Sequence, residues 1–354
     1  MRLVLVACLA ALLAGCLATP TPSETGTPSP QLAAAGAGLT LPAPQLRDDR
    51  LVAADGTALP LRRWLPQGEP VAVVLALHGF NDYSNAFAQP APLWAERGIA
   101  TYAYDQRGFG GAPGRGRWLG TRRLVADAAT AIGLLHRRYP GTPVYLLGES
   151  MGGAIAILAA SGGAGVAPPS VDGVILVAPA IWGRQTMNPV ERVGLWFAGL
   201  LPAVHWSASV LPVHIRPSDN VPMLIAYSAD PLVIKDTRAD TLNGLVDLMS
   251  AALTAAPALD TRLLLLYGEH DEIVPQAAMA RFVATLPGGD RGRQRVALYP
   301  EGYHMLLRDL DAATPTGDIA AWIGAPSAPL PSHLDAGARG RLIGRPAPIE
   351  ASVQ

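Results

Sequence analysis

Residues 144–160, VYLLGESMGGAIAILAA, hold the pattern that decides the fold. An apolar, β-branched run is followed at once by an alanine-rich run, which predicts a buried strand that turns sharply into a helix. Ser150 stands at that turn between Gly148 and Gly152, in the arrangement G-x-S-x-G. Glycines on both sides let backbone segments pass closely, so the serine can be held in a strained conformation with its hydroxyl exposed. The stretch therefore predicts a nucleophile at the edge of a sheet.

The central part of the chain alternates short apolar runs with longer helical patterns. This alternation predicts an α/β fold with a mostly parallel central sheet and helices on both faces. An antiparallel hairpin that turns at Asp55 and Gly56 is predicted before the first buried strand. Buried strands are predicted within residues 71–80, 99–108, 143–150, 171–180, 261–271 and 295–304, and helices over residues 121–138, 151–160, 276–286 and 305–322.

Residues 181–259 interrupt the alternation, because no strand is predicted there. Two amphipathic helical patterns begin instead at Asn188 and at Leu242. An apolar insertion of this length, placed after the strand that ends near residue 178, is expected to form a helical cap over the site. The alternative is a packing subdomain that does not contact substrate.

A serine hydroxyl needs a base to take its proton, and His304 is the favoured candidate. It follows the last apolar strand, where a loop can bring an imidazole over the strand edge. Asp271 is the favoured carboxylate, because it follows four leucines at the carboxyl end of the penultimate strand. His270 is the rival base, but it adjoins Asp271 in sequence, and adjacent side chains seldom pair. Glu269 and Glu272 are the alternative acids.

The three favoured residues occur in the order nucleophile, acid, base that is expected of this type of sheet. The negative oxygen of a tetrahedral intermediate also needs donors, and backbone N–H groups suffice. The candidates are Met151, directly after the serine, and Phe80, in the loop after the first long strand. His78, two residues before Phe80, is predicted to be a structural histidine bonded to loop backbone.

Composition excludes some classes of function. The 354 residues are 50% hydrophobic and 16% charged, with a formal net charge of −1, which gives no reason to expect a nucleic-acid partner. Both cysteines, Cys8 and Cys16, lie near the start, so the rest of the chain cannot form an intramolecular disulfide or a thiolate metal site. No metal or organic cofactor is expected.

The ends of the chain differ from its middle. Residues 1–16 have the pattern of a secretory signal, and the sequence LAGC that ends at Cys16 resembles the lipobox of bacterial lipoproteins. The resemblance implies that Cys16 is acylated and that the exported protein is lipid-anchored to the cell envelope, at the outer membrane if the host has one. The alternative is an ordinary signal with a chance cysteine. Residues 17–44 are then a flexible tether, residues 45–325 the folded domain and residues 326–354 a disordered tail.

Six motifs together resemble the serine α/β-hydrolases of the monoacylglycerol lipase and lysophospholipase group. They occur in order over roughly residues 51–322 and are HGFNDYS (78–84), YDQRGFG (104–110), GESMGG (148–153), YSADPL (227–232), GEHDEIVP (268–275) and EGYHMLL (301–307).

The resemblance implies an oxyanion hole at Phe80 and Met151 and a cap whose apolar helices accept an acyl chain. The expected substrate is a fatty acyl ester, either a monoacylglycerol or a lysophospholipid. This sequence departs from the family pattern at two places that bear on the head group of the substrate. Tyr83 stands where animal monoacylglycerol lipases carry a histidine, and the segment of residues 108–118 is longer and more basic than the usual turn. The alternatives are a short-chain carboxylesterase or an aminopeptidase of the same superfamily, or a non-catalytic envelope lipoprotein.

Overall fold

A single sheet forms the centre of the computed structural model, which describes residues 43–187, 189, 192, 194, 204–207, 215–287 and 293–344. Nine strands of the described residues lie in the order β1-β2-β3-β5-β4-β6-β7-β10-β11. The strands are β1 Gln45–Leu46, β2 Arg50–Val52, β3 Ala58–Trp64, β4 Ala72–Leu77, β5 Ile99–Tyr104, β6 Val144–Glu149, β7 Gly173–Val177, β10 Leu263–Gly268 and β11 Gln294–Tyr299, with β8 His205–Ser207 and β9 Asp236–Arg238 in a separate ladder.

The six strands from β5 to β11 in that order are parallel, as predicted. Most of their residues are apolar because both faces of these strands are covered. Along β4, the odd-numbered residues 73–77 pack into one core cluster and the even-numbered residues 72–76 into the other. The predicted hairpin is also present: β2 pairs antiparallel with β3, and Gly56 takes the positive φ of 80° at the turn.

Helices cover both faces of the sheet. Those described are α1 Pro90–Ala95, α2 Thr121–Arg138, α3 Met151–Ser161, α4 Val221–Ala229, α5 Ala239–Ala255, α6 Gln276–Thr285, α7 Ala313–Gly324 and α8 Ala338–Gly344. Helices α2, α3, α5, α6 and α8 contribute to one core cluster, whereas α1 and α7 contribute to the other. Helix α2 has the predicted bounds, and the observed ends of α3 and α6 differ from prediction by one residue. The α/β-hydrolase fold class is therefore confirmed.

The prediction of a helix from residue 305 is wrong for its first two turns, because α7 begins at Ala313. Backbone N–H groups at the start of the loop before α7 donate to acceptors that are not part of a helix. The N–H of Tyr303 donates to the Asp309 carboxylate at 2.7 Å, and the N–H of Met305 donates to the carbonyl of Pro217 at 2.8 Å. These bonds hold a loop after β11 rather than a helix.

The prediction of a disordered tail is wrong for residues 326–344. Leu330, Ala338 and Leu342 are buried in the two core clusters, and α8 lies against α6. The Ser332 hydroxyl donates to the buried carboxylate of Asp318 on α7 at 2.5 Å. A few well-spaced apolar residues and several polar contacts, among them the ion pair of Asp335 with Arg295 on β11, thus attach this segment to the body. The last ten residues of the predicted tail lie outside the described residues.

The insertion between β7 and β10 contains α4 and α5, so the expected helical cap is present. The second amphipathic pattern is α5, whereas most of the pattern from Asn188 lies outside the described residues. The expectation that residues 181–259 hold no strand is wrong, because β8 and β9 pair antiparallel. The predicted signal and its Cys16 also lie outside the described residues. Among the helices described, none combines the length and apolar character needed to cross a membrane.

Candidate active site

Ser150 lies at the turn between β6 and α3, where the sequence predicts it. Its backbone has φ 52° and ψ −115°, and its N–H donates to the carbonyl of Val177 at 3.0 Å. A Cβ atom on Gly148 would lie 2.2 Å from the carbonyl oxygen of Gly152, and one on Gly152 would lie 2.1 Å from the carbonyl oxygen of Leu77. The sharp turn therefore requires both glycines, and close packing around it holds the serine at a positive φ that other contexts disfavour.

Asp271 and His304 meet at the carboxyl ends of two neighbouring strands. Asp271 follows β10 and His304 follows β11, and these strands pair in parallel up to Gly268 and Tyr299. The Nδ1 atom of His304 lies 2.9 Å from Oδ2 of Asp271. The other carboxylate oxygen accepts the N–H groups of Ile273 and Val274 at 2.8 and 2.9 Å. These bonds fix the direction of the carboxylate toward the imidazole.

The pKa of His304 is raised from its usual value of 6.5. Burial disfavours the charged imidazolium, but the charge of Asp271 and the hydrogen bond to it outweigh burial, and Glu149 adds to the effect. A carboxylate at Nδ1 also sets the tautomer, because the proton on Nδ1 leaves Nε2 free to accept one. His304 is therefore arranged to act as a base through Nε2.

The loop after β4 adjoins the serine. A Cβ atom on Gly79 would lie 3.3 Å from Cβ of Ser150. The N–H of Asp82 donates to the carbonyl of Gly79 at 3.4 Å, which closes a turn in which Asn81 has φ 63°. Among the described residues, the N–H groups of Phe80 and Met151 have no hydrogen-bond acceptor. Two unused donors beside the nucleophile are what an oxyanion hole needs.

His78 has the structural role that the sequence indicates. Its Nε2 accepts the N–H of Gln106 at 2.9 Å, so Nδ1 carries the proton and donates to the carbonyl of Gly79 at 2.8 Å. Burial lowers the pKa of His78, which keeps the imidazole neutral in this arrangement. The ring also packs edge-on against Phe109, with centroids 5.9 Å apart. His78 thus supports the loop that carries Phe80.

The alternatives to the favoured acid and base have other contacts. His270 packs edge-on against Tyr303 at 5.2 Å between ring centroids. The carboxylate of Glu272 accepts the N–H of Arg216 at 2.7 Å, in the segment that leads into α4. Neither residue takes part in the contact between Asp271 and His304.

A buried group of charged residues next to the site was not found by sequence reasoning. Nη2 of Arg308 lies 2.8 Å from Oδ2 of Asp82 and 3.5 Å from both carboxylate oxygens of Glu149. The guanidinium also lies 5.6 Å from the ring centroid of Tyr227 on α4. The available signal was Glu149 itself, since a carboxylate at the end of a buried strand needs a partner.

The cap directly contacts the loop after β4, residues 78–84, which we call the oxyanion loop. The hydroxyl of Tyr83 donates to the carboxylate of Asp230 at 2.6 Å, and the N–H of Ile234 donates to the carbonyl of Asn81 at 2.9 Å. The side-chain amide of Asn81 donates to the hydroxyl of Thr237 at 2.7 Å. Within the part of the chain that the structure describes, no three His, Cys, Asp or Glu side chains are grouped to hold a metal ion.

The chain is similar in sequence to known monoacylglycerol lipases. Human monoglyceride lipase is 27% identical over 278 residues, which cover 77% of this chain and 89% of that protein. Monoacylglycerol lipase of Mycolicibacterium smegmatis is 27% identical over 266 residues, which cover 73% of this chain and 90% of the relative. The resemblance to the monoacylglycerol lipase group of α/β-hydrolases is thereby confirmed.

Solved structures agree on the fold. A soluble variant of monoglyceride lipase from Saccharomyces cerevisiae, bound to a substrate analogue, superposes with a TM-score of 0.65 at 18% identity, covering 81% of this chain and 97% of that one. The monoacylglycerol lipase of Paleococcus ferrophilus gives a TM-score of 0.62 at 22% identity, covering 75% and 98%. The sequence profile described as serine aminopeptidase, S33, matches residues 68–311, more than half of the chain. The protein therefore belongs to the serine aminopeptidase, S33 family and has the α/β-hydrolase fold.

Proposed function

We propose that this protein is a serine esterase that hydrolyses fatty acyl esters of glycerol, with monoacylglycerols as the substrate class. The observation that carries the proposal is the 2.9 Å contact between His304 and Asp271, in the loops after β11 and β10 of the same sheet whose strand β6 leads into the Ser150 turn. The curated relatives, which are named monoglyceride or monoacylglycerol lipases, support a carboxylic ester hydrolase.

Acylation begins when Nε2 of His304 takes the hydroxyl proton of Ser150 as its oxygen attacks the ester carbonyl. The carbonyl oxygen becomes negative and accepts the N–H groups of Phe80 and Met151, each worth about 3 kcal/mol of barrier. Asp271 stabilises the imidazolium that forms. His304 then returns the proton to the leaving alcohol, and the acyl group remains on the serine.

Deacylation repeats these steps with water. His304 takes a proton from water as the water oxygen attacks the acyl carbonyl, and the same two N–H groups hold the second tetrahedral intermediate. The proton then passes to the oxygen of Ser150, which leaves as the free hydroxyl. The products are a fatty acid and glycerol, and no cofactor enters the balance.

The cap supports an apolar substrate. Helix α4 has the sequence VPMLIAYSA, in which most residues are apolar, and it adjoins the site through Tyr227. A site that must accept an acyl chain needs apolar walls with a few placed polar groups. Tyr83 and Asp230, hydrogen-bonded to each other between loop and cap, are polar groups of this kind.

The test is a hydrolysis panel with the purified protein. Monoacylglycerols and lysophospholipids of graded chain length, short-chain esters and aminoacyl amides are compared at one pH. The proposal expects the highest kcat/KM for long-chain monoacylglycerols, and Ser150→Ala is expected to lower it by at least about 10³-fold. Preference for a short ester or an amide would instead favour a carboxylesterase or an aminopeptidase. A fully active Ser150→Ala protein would refute the serine mechanism.

We further propose that Cys16 is acylated and that residues 17–44 tether the enzyme to the cell envelope. The support is the sequence LAGC at residues 13–16 and the Pro- and Thr-rich segment that follows. Labelled palmitate is expected to be incorporated into the wild-type chain and not into Cys16→Ser. Equal labelling of both proteins would contradict the anchor without affecting the assigned activity.

A further inference from the structure

The charged group of Asp82, Glu149 and Arg308 is buried as deeply as the core. The three residues are 3%, 2% and 8% exposed, respectively. One guanidinium lies between two carboxylates, 2.8 Å from the first and 3.5 Å from the second. Burying this many charges is unfavourable unless they are paired, and replacing such a group with apolar residues is often neutral for stability. Its presence therefore calls for an explanation besides stability.

Each member of the group belongs to a different part of the active site. Asp82 closes the turn that carries Phe80, through its N–H bond to Gly79 at 3.4 Å. Glu149 is the last residue of β6 and directly precedes Ser150. Arg308 lies four residues after His304, in the same loop. The ion pairs thus connect three segments at one point: the oxyanion loop after β4, the turn at Ser150 and the loop that carries His304.

A second set of contacts holds Arg308 in place. Its N–H donates to the carbonyl of Met305 at 2.7 Å, and its own carbonyl accepts the side-chain amide of Asn220 at 2.9 Å. The ring of Tyr227, on the cap, covers the guanidinium at 5.6 Å. The side chain that joins the three segments is therefore itself fixed from both the loop and the cap.

We propose that Arg308 and Glu149 are positioning residues: their ion pair, together with the ion pair of Arg308 and Asp82, holds the two backbone donors, Ser150 and His304 in register. The proposal deepens the proposed function and rests on it. It adds two side chains that do not touch substrate to those that do.

The charges around His304 determine the sign of the expected effect. The groups that face it are Asp271, Glu149 and Arg308; the two carboxylates favour the imidazolium, and the guanidinium opposes it. Glu149 in turn lies 3.5 Å from Arg308, and burial raises the pKa of Glu149, while the charge of Arg308 opposes this rise. Removing the carboxylate of Glu149 leaves Arg308 less compensated, so both changes disfavour a proton on His304. The imidazolium formed in each tetrahedral step then becomes less stable.

The decisive variant is Glu149→Gln, which keeps the shape and removes the charge. The pH dependence of kcat/KM is measured with the full chain and a soluble short-chain ester. The acid limb, which reports His304, is expected to shift to lower pH by about half a unit or more, with a lower kcat at the plateau. Asp127→Asn is the matched control, because Asp127 is a buried carboxylate paired with Arg107 and is not part of the site. Its acid limb is expected to stay where it is in the wild type.

Arg308→Lys and Arg308→Met test the positioning role. A lysine keeps the charge but has a shorter side chain without the planar guanidinium, so its nitrogen is not expected to reach the place that Nη2 occupies between the two carboxylates. We therefore expect kcat to fall about ten-fold or more with KM changed less than about two-fold. The methionine variant is expected to lose more activity. An unshifted acid limb with an unchanged plateau kcat in Glu149→Gln would overturn the proposal, and so would Arg308→Lys activity no lower than that of Asp127→Asn. Glu149→Gln is close in shape and decides the question even if the Arg308 variants do not fold. Loss of activity in Ser150→Ala alongside that result would show that the proposed function itself still stands.

Discussion

Gly152 is the residue at which the serine turn leaves the least room. A Cβ atom there would lie 2.1 Å from the carbonyl oxygen of Leu77, on the neighbouring strand β4. In Gly152→Ala the first turn of α3 must move away from that strand, and Ser150 moves with it. We expect a loss of stability of about 1–3 kcal/mol in denaturant unfolding. We also expect a loss of activity of about 10²-fold in ester hydrolysis.

Gly133, in the middle of α2, is the matched control. A Cβ atom there would meet only the end of the Arg137 side chain, at 3.8 Å. Alanine removes the entropic disadvantage of glycine in a helix, so Gly133→Ala is expected to stabilise the protein by about 0.5–1 kcal/mol with unchanged activity. If both variants unfolded and hydrolysed ester as the wild type does, the close approach at Gly152 would not constrain the turn.

His304 gives a pH dependence whose sign follows from its contacts. Asp271 and Glu149 outweigh burial and raise its pKa above 6.5. Because the neutral imidazole is the base, kcat/KM is expected to rise along a limb whose midpoint lies above 6.5. Asp271→Asn removes the main stabilising charge, so we expect a lower midpoint and a kcat lower by about three to four orders of magnitude. A midpoint that did not move would contradict the pairing.

The same shift links His304 to stability. A raised folded-state pKa means that the protonated form contributes stability below the unfolded value near 6.5, and that this contribution is lost as pH rises through the folded value. Asp271→Asn is therefore expected to lose more stability, relative to the wild type, at pH 5 than at pH 9. Denaturant unfolding at both pH values measures the difference, and an equal loss at the two would contradict the linkage.

At the scale of elements, substitutions in α8 test whether this helix packs against the core. Leu342 is fully buried in the larger core cluster, whereas its neighbour Ile343 is 42% exposed. Leu342→Ala is expected to destabilise the protein by about 2–4 kcal/mol, because it leaves a cavity. Ile343→Ala makes the same kind of truncation on the same helix and is expected to change stability by less than about 0.5 kcal/mol. Equal effects would mean that α8 does not pack as described.

The elements that the sequence predicts well are those with a strong local pattern. The buried runs of β4 and β10 and the periodic helix α2 depend on neighbouring residues, so a short window reveals them. Helix α4 is apolar nearly all round and has no such period, and α8 has only two buried residues in seven. Their places are determined by distant contacts, which a local pattern does not record.

The residues of the site also divide into those that local sequence patterns predict and those that only the folded structure reveals. The turn at Ser150 and the acid and base candidates follow from motifs and strand ends. The pairing of Arg308 with Glu149 joins residues 159 positions apart, and only the assembled sheet brings them together. A buried charge can be recognised locally as needing a partner, but which residue supplies that partner is a property of the whole fold.

At the scale of the whole molecule, the contact of Tyr83 with Asp230 connects the oxyanion loop with the cap. The hydrogen bond is 2.6 Å long, and burial together with the carboxylate raises the pKa of Tyr83 to about 12, so the hydroxyl stays a donor in the working range. Tyr83→Phe removes the bond and leaves the ring. Because the cap provides the acyl site in the proposed function, we expect KM for a long-chain monoacylglycerol to rise about three- to ten-fold, the equivalent of one hydrogen bond.

The control for this prediction is a second tyrosine pair that does not involve the cap. The hydroxyls of Tyr102 and Tyr139 lie 2.7 Å apart, between β5 and the end of α2. Tyr139→Phe removes a comparable bond and is expected to leave KM for both short and long esters unchanged. Tyr83→Phe is expected to leave kcat for a short ester unchanged, since such a substrate does not need the cap. If Tyr83→Phe raised KM for short and long esters by the same factor, the bond would act on the oxyanion loop alone, and the cap would not be coupled to the site through it.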